Sequence, residues 1–230
     1  MIIMRTLNIM ERIKHFSIRV LPRKKVFTDI YRGGTFGGEE SISGPGSDLA
    51  QTALLRRSLP SLLKELGVRS MIDAPCGDFN WLREVDLGTI SYIGVDIVDE
   101  LIKGNEKRYG GDKRKFIVAD IVADVLPAAD MILCRDCFVH LSNKDIIRAI
   151  KGFKKSGSRY LLTTIFPSHQ ENVDMVTGRG WRPINLTLPP FSFPPPLKLT
   201  SEECPEQGGN YADKSLGLWE LSAIRTSKRV

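Results

Sequence analysis

The sequence of 230 residues lacks any apolar run near the roughly 18 residues that a bilayer-spanning helix needs. It also lacks a secretory hydrophobic segment followed by a cleavage site, so a cytoplasmic location is expected. Cysteine is scarce. Cys76, Cys134, Cys137 and Cys204 do not make a disulfide framework in a chain this long. Cys134 and Cys137 form a C-x-x-C, but no second ligand pair stands at zinc spacing, and no metal site is expected. The surrounding ILCRDCFVHL is too apolar for a redox pair opening a helix, so these thiols read as buried strand-end residues. A net basic excess is missing from the body of the chain: the net +6 resides in residues 1–25, and the rest is neutral. A groove that tracks nucleic acid would need that charge in the fold itself, which counts against a nucleic-acid partner.

What is present begins with a basic leader, residues 1–26. It reads as a solvated segment; its apolar residues at helical spacing also suit weak contact with an anionic membrane surface or a partner. Residues 27–230 are expected to form a single domain, opening with a glycine- and serine-rich loop over 27–47. Asp48 should cap a helix, or two half-helices broken at Pro60, that Gly67 stops. Strands are predicted at 70–74, 91–96, 115–119, 130–135 and 159–165, with helices near 79–85, 98–109 and 142–154, the last capped by Ser142. Apolar strands separated by helices imply a parallel sheet covered on both faces. Two more strands, 197–200 and 216–224, are joined by a stretch holding Pro205, Gly208 and Gly209 that discourages a crossover helix, so they should pair antiparallel. The fold class is α/β: a doubly wound, mostly parallel seven-stranded sheet ending in an antiparallel hairpin.

In such sheets ligands sit at the carboxyl ends of the strands, near the switch in strand order. The stretch SMIDAPCGDFNW, residues 70–81, ends the first strand at Asp73 and turns through Pro75, Gly77 and Asp78. Asp96 ends the second strand, 19 residues past Gly77, where an acid that bonds a ribose diol is expected, and Ile97 follows where a purine face would lie. A dinucleotide would demand G-x-G-x-x-G at the first turn to bring its pyrophosphate against the helix start. Here a single glycine stands there, and Asp78 would repel the diphosphate. S-adenosylmethionine carries no phosphate, and its sulfonium and ammonium suit the acids Asp73 and Asp78. The ligand expected is therefore an adenosyl cation.

The ordered set of motifs, from about residue 48 to 224, resembles class I S-adenosylmethionine-dependent methyltransferases, and within them a subgroup with DAPCGDFNW as first motif. The resemblance implies that Asp73, Gly77 and Asp78 form the cofactor loop, that Asp96 is the ribose acid, and that Asp120 and Ile121 lie near the adenine. It places Arg135 and Asp136 in the fourth motif, beside the transferred methyl. Pro75 and Phe79 depart from it, replacing the first and third glycines of the usual loop.

Methyl transfer needs alignment and exclusion of water, and an alcohol acceptor also needs a base. Asp136 and His140, four residues apart, are the first candidates, and His169 stands at the edge of the same region. Two segments unlike the core, 27–47 and 168–196, are expected to cover the acceptor. The second offers Trp181, Arg182 and Asn185 with Phe191 and Phe193, a mixture suited to a polar ring such as a sugar. O-methylation of a sugar, glycan or other small polar acceptor is the expected activity. RNA or protein methylation, a dinucleotide-dependent oxidoreductase or epimerase, and a non-catalytic adenosyl-binding module are the alternatives.

Overall fold

The structure, a computed structural model, describes residues 22–204 and 211–225. Most of the basic leader (1–21) therefore lies outside the described residues, as do Pro205, Gly208 and Gly209. The apolar runs form seven strands: β1 Ser70–Asp73, β2 Ser91–Asp96, β3 Arg114–Val118, β4 Met131–Cys134, β5 Tyr160–Ile165, β6 Lys198–Ser201 and β7 Ser215–Glu220. Their order is β3-β2-β1-β4-β5-β7-β6. The first five are parallel, and β7 inserts antiparallel between β5 and β6. Every residue of β4 and β5 is buried, as near-continuous apolar strands require when both faces are covered. Among the described residues, no helix is long and apolar enough to cross a membrane.

Alternation along each strand divides the core between the two faces. Met71, Leu133 and Leu162 point toward helix α2 (Ala53–Glu65), where Leu55, Leu59, Leu62 and Leu63 are buried. Ile72, Ile132 and Leu161 point the other way, toward Ile146, Ala149, Ile150 and Phe153 of helix α4 (Asn143–Lys155). Ser142 caps α4 as expected, its hydroxyl accepting from the Asp145 N–H at 3.2 Å. Helix α3 (Asp99–Tyr109) links β2 to β3.

Of the two readings left open at Pro60, the structure has the single continuous helix, with buried leucines on either side of the proline. Three expectations are corrected. That helix starts at Ala53 rather than after Asp48: Thr52 sits at its cap position, with its hydroxyl bonded to the Asp48 carbonyl at 2.9 Å. The helix near 79–85 contracts to a single 3-10 turn, Leu82–Glu84. Phe79 causes this by adopting φ 61° to bury its ring among Tyr92, Tyr109 and Phe116, with centroids 5.0–5.4 Å away. Finally, the expected leader boundary at residue 26 falls inside a helix, α1 (Arg23–Arg32), so residues 27–32 are not loop. The change in composition after Lys25 had masked one amphipathic turn pattern. None of α1 is fully buried, and it is pinned to the start of α3 by Lys24–Asp99 at 2.6 Å and by Arg32–Glu100.

Candidate active site

A cavity of about 660 Å³ opens at the carboxyl ends of β1, β2 and β4. Its inner wall is acidic. Asp73, the last residue of β1, is buried and accepts a hydrogen bond from the Tyr92 hydroxyl at 2.9 Å. Burial pushes its carboxyl up to about 7, against the opposing pull of that hydrogen bond, while nearby Asp96 adds to the rise. Asp96 ends β2 and receives the Gly77 N–H at 3.3 Å and the Val98 N–H at 3.0 Å. Burial pushes it up to about 6, and those backbone donors limit the shift. Both carboxylates line the cavity, together with Pro75, Gly77, Ile97, Asp120 and Ile121.

The turn after β1 is shaped by the loop that covers it. Asp78 lines the cavity, but its oxygens accept from Ser41 Oγ, the Ile42 N–H and Ser43 Oγ at 2.9–3.1 Å. The expected cation-facing acid thus serves mainly to tie the 41–43 loop over the mouth. Gly77 has φ 53°, and a Cβ there would overlap Ser43 Oγ. Gly77→Ala should therefore push the 41–43 loop off Asp78 and weaken binding of the expected adenosyl ligand about tenfold or more by calorimetry, while circular dichroism stays native. Wild-type affinity in that variant would show that the close approach does not matter.

Helix α1 roofs the opposite side with Arg23, Phe27, Ile30 and Tyr31. Asp120 is not open: Arg23 donates to its Oδ2 from Nε at 2.9 Å, and the Val122 N–H reaches Oδ1 at 2.9 Å.

At the end of β4 four charged side chains close on one another. Arg135, only 4% exposed, forks onto Glu202 at 3.2 and 2.6 Å and reaches Asp136 at 3.1 Å. Lys214 bridges Asp136 at 2.7 Å and Glu202 at 3.3 Å. Burial alone would raise Asp136, but Arg135 and Lys214 outweigh it and hold the carboxyl down at about 2. These ion pairs count against its expected role as base. A carboxylate with so little proton affinity has little drive to deprotonate an alcohol near neutral pH.

His140 remains. Its Nδ1 lies 2.8 Å from the Gly180 carbonyl, an acceptor only, so Nδ1 carries the hydrogen and Nε2 keeps its lone pair. Burial lowers the ring below its ordinary value, against the opposing influence of the Gly180 bond, so the neutral form persists near pH 7. The ring lines the cavity and packs against Phe36 at 4.8 Å.

Of the expected acceptor residues, only Trp181 reaches the cavity. Arg182 donates to the Val173 carbonyl and to Asn143 Oδ1, bracing its own segment on α4. Asn185 is buried, and its amide donates to the Pro167 and His169 carbonyls at 3.0 Å. His169 does not line the cavity; its N–H closes a turn onto Phe166 O at 3.1 Å. Phe191 and Phe193 are core residues, the latter 5.4 Å from Trp219. Sequence reasoning missed Phe36, Phe166, Tyr211, Lys214 and Glu202. The only signal for Phe36 and Tyr211 was an aromatic ring inside a polar, glycine-rich stretch. The thiols of Cys134 and Cys137 are buried, as expected, and so is that of Cys76; burial pushes Cys76 and Cys134 up.

No protein-family model and no curated protein matches this chain by sequence. Among solved structures, human N-acetylserotonin methyltransferase in complex with SAM superposes with a TM-score of 0.57 over 90% of this chain at 14% identity. The fold is the Rossmann-like methyltransferase fold. This chain spans 61% of that protein's length. Magnesium protoporphyrin IX methyltransferase from Synechocystis PCC 6803 with bound SAM is also similar: TM-score 0.47, 16% identity, covering 66% of this chain and 81% of that one. In the methyltransferase fold seen here, two crossovers are reduced: the β1–β2 link holds one 3-10 turn, and residues 119–130 between β3 and β4 contain no helix.

Proposed function

We propose that this protein is an S-adenosylmethionine-dependent methyltransferase that transfers the methyl group to a ring hydroxyl of a small acceptor, a class that includes sugars. One observation carries the reading: two buried carboxylates, Asp73 and Asp96, face a cavity whose first turn has no helix behind it. A dinucleotide needs a helix N-terminus to meet its pyrophosphate, and a single 3-10 turn cannot supply one. A cation without phosphate gains from both acids, so these residues fit the cofactor. In this reading Asp96 holds the ribose, Ile97 and Ile121 pack on the adenine faces, and Asp73 meets the positive methionine end. When bound, the cofactor supplies an electrophilic methyl on sulfonium sulfur.

The chain's own part is to hold, dry and deprotonate. Helix α1 and the 41–47 loop exclude water from above. His140 Nε2 is the group that accepts the acceptor's proton, which supports a catalyst over a silent adenosyl-binding module. Neutral charge outside residues 1–25 supports a small acceptor over RNA.

Calorimetry tests this. S-adenosylmethionine should bind and NAD should not. Asp73 titrates at about 7 and Asp96 at about 6, and a cation prefers both ionised. Lowering the pH from 8 to 5.5 should therefore weaken binding, because protons compete with the ligand, by up to about tenfold per unit for each carboxylate below its own value. S-adenosylhomocysteine, without the sulfonium charge, should show a shallower slope. Binding of NAD without S-adenosylmethionine would overturn the proposal.

A further inference from the structure

We propose that the acceptor is an uncharged aromatic compound carrying a hydroxyl, held against Trp181, Tyr211 and Phe166, rather than a sugar or an anion. This rests on the methyl-transfer reading above.

Three rings that line the cavity pack into one wall. Trp181 and Tyr211 lie 4.7 Å apart at 65°, Trp181 and Phe166 5.6 Å apart at 89°, and Phe166 and Tyr211 5.8 Å apart at 76°. All three line the cavity, and Trp181 stays 38% exposed although two rings already pack on it. Edge-to-face packing within a cluster leaves further edges and faces for another flat ring. Phe36, beside the His140 ring at 4.8 Å, adds an apolar surface next to the base.

Charge selects against other rings. The cations lining the cavity are Arg23, Arg135 and Lys214, and each is matched: Arg23 by Asp120 at 2.8 Å, the other two by Asp136 and Glu202 within 3.3 Å. A carboxylate or phosphate on the acceptor would have to leave water without an unpaired cation among the described lining residues to meet it. A sugar would bury several hydroxyls against a largely aromatic wall, whereas an aryl alcohol buries one.

Acidity points the same way. His140 is a base weakened by burial, which suits a phenolic hydroxyl, with a pKa of about 10 in tyrosine, better than a less acidic alkyl hydroxyl. In the step, the hydroxyl proton passes to His140 Nε2, and the oxygen forms a C–O bond to the methyl carbon. The C–S bond breaks with its electron pair remaining on sulfur.

The test uses the full chain saturated with S-adenosylhomocysteine and titrated calorimetrically with 2-naphthol, methyl α-glucopyranoside or 2-naphthoate. We expect 2-naphthol to bind at least tenfold more tightly than the other two. Trp181→Ala should weaken it at least fivefold and Trp181→Phe should restore most of the loss, both with unchanged S-adenosylhomocysteine affinity. With S-adenosylmethionine, labelled methyl should pass to 2-naphthol. Equal or tighter binding of the glycoside or naphthoate, or no 2-naphthol binding to a chain that does bind S-adenosylhomocysteine, overturns the inference. So does an unaltered Trp181→Ala variant. Failure of S-adenosylhomocysteine itself to bind overturns the methyl-transfer reading, and the acceptor assignment with it.

Discussion

His140→Ala is expected to lower kcat by about two to four orders of magnitude while leaving S-adenosylmethionine affinity unchanged. The expectation follows from one hydrogen bond. Because Gly180 O takes the Nδ1 hydrogen at 2.8 Å, the lone pair belongs to Nε2, and the ring lines the cavity in that tautomer. Burial holds the ring below its ordinary value, so activity should rise with pH through the acid side of the imidazole range, as neutral base accumulates. If Asp73 and Asp96 hold the cofactor as proposed, its affinity should also climb over that range, so the two effects must be separated by measuring kcat at saturating cofactor. His140→Gln should be nearly as impaired as the alanine variant, since an amide does not accept a proton at neutral pH. A His140→Ala variant with wild-type kcat would remove this residue from catalysis.

Arg135→Met should destabilise the protein by about 3–5 kcal/mol, read as a lower urea midpoint at unchanged slope. The wild-type cluster holds two cations and two carboxylates, with Arg135, Glu202 and Lys214 each under a tenth exposed. Removing the guanidinium leaves Asp136 and Glu202 to share Lys214, which strands negative charge in a region with little water. The sign with pH is fixed by Asp136. Its carboxyl is depressed to about 2 by Arg135 and Lys214, so it contributes stability above about 4 that disappears as pH falls toward 2. The gap between wild type and variant should therefore narrow in acid. Adding Glu202→Gln to Arg135→Met should recover part of the loss, because it removes one of the stranded charges. A difference under about 1 kcal/mol at pH 7 would mean that water reaches the cluster and screens it.

These two sites differ in how far the chain order announces them. Arg135 and Asp136 stand at the end of an apolar run, so their place beside the cavity follows from strand ends alone. Their partners do not. Glu202 and Lys214 occur in polar stretches that resemble solvated loops, and only the antiparallel pairing of β6 with β7 carries them to the end of β4. Asp136 therefore looked like a base in the sequence and is an ion-paired carboxylate in the structure. The same holds for Arg182 and Asn185. Their types suit a binding site, yet Asn185 spends its amide on the Pro167 and His169 carbonyls, and Arg182 its guanidinium on the Val173 carbonyl and Asn143 Oδ1.

Helix α1 is another case. Its positive charges and its apolar residues were each visible, but their use depends on Asp99, Glu100 and Asp120, acids far along the chain that pin the helix over the cavity. Where the periodicity is local, sequence sufficed: the seven strands, the Ser142 cap, and Asp73 and Asp96 at strand ends. These depend on alternation, on capping within one turn, and on the rule that parallel strands present their carboxyl ends on one edge. The tertiary structure alone determined which charges neutralise each other, which nitrogen of His140 is free, and which aromatic rings face open space. Each of those is a relation between groups brought together from distant segments, and a hydrogen bond or ion pair satisfied by one partner is no longer available to a ligand.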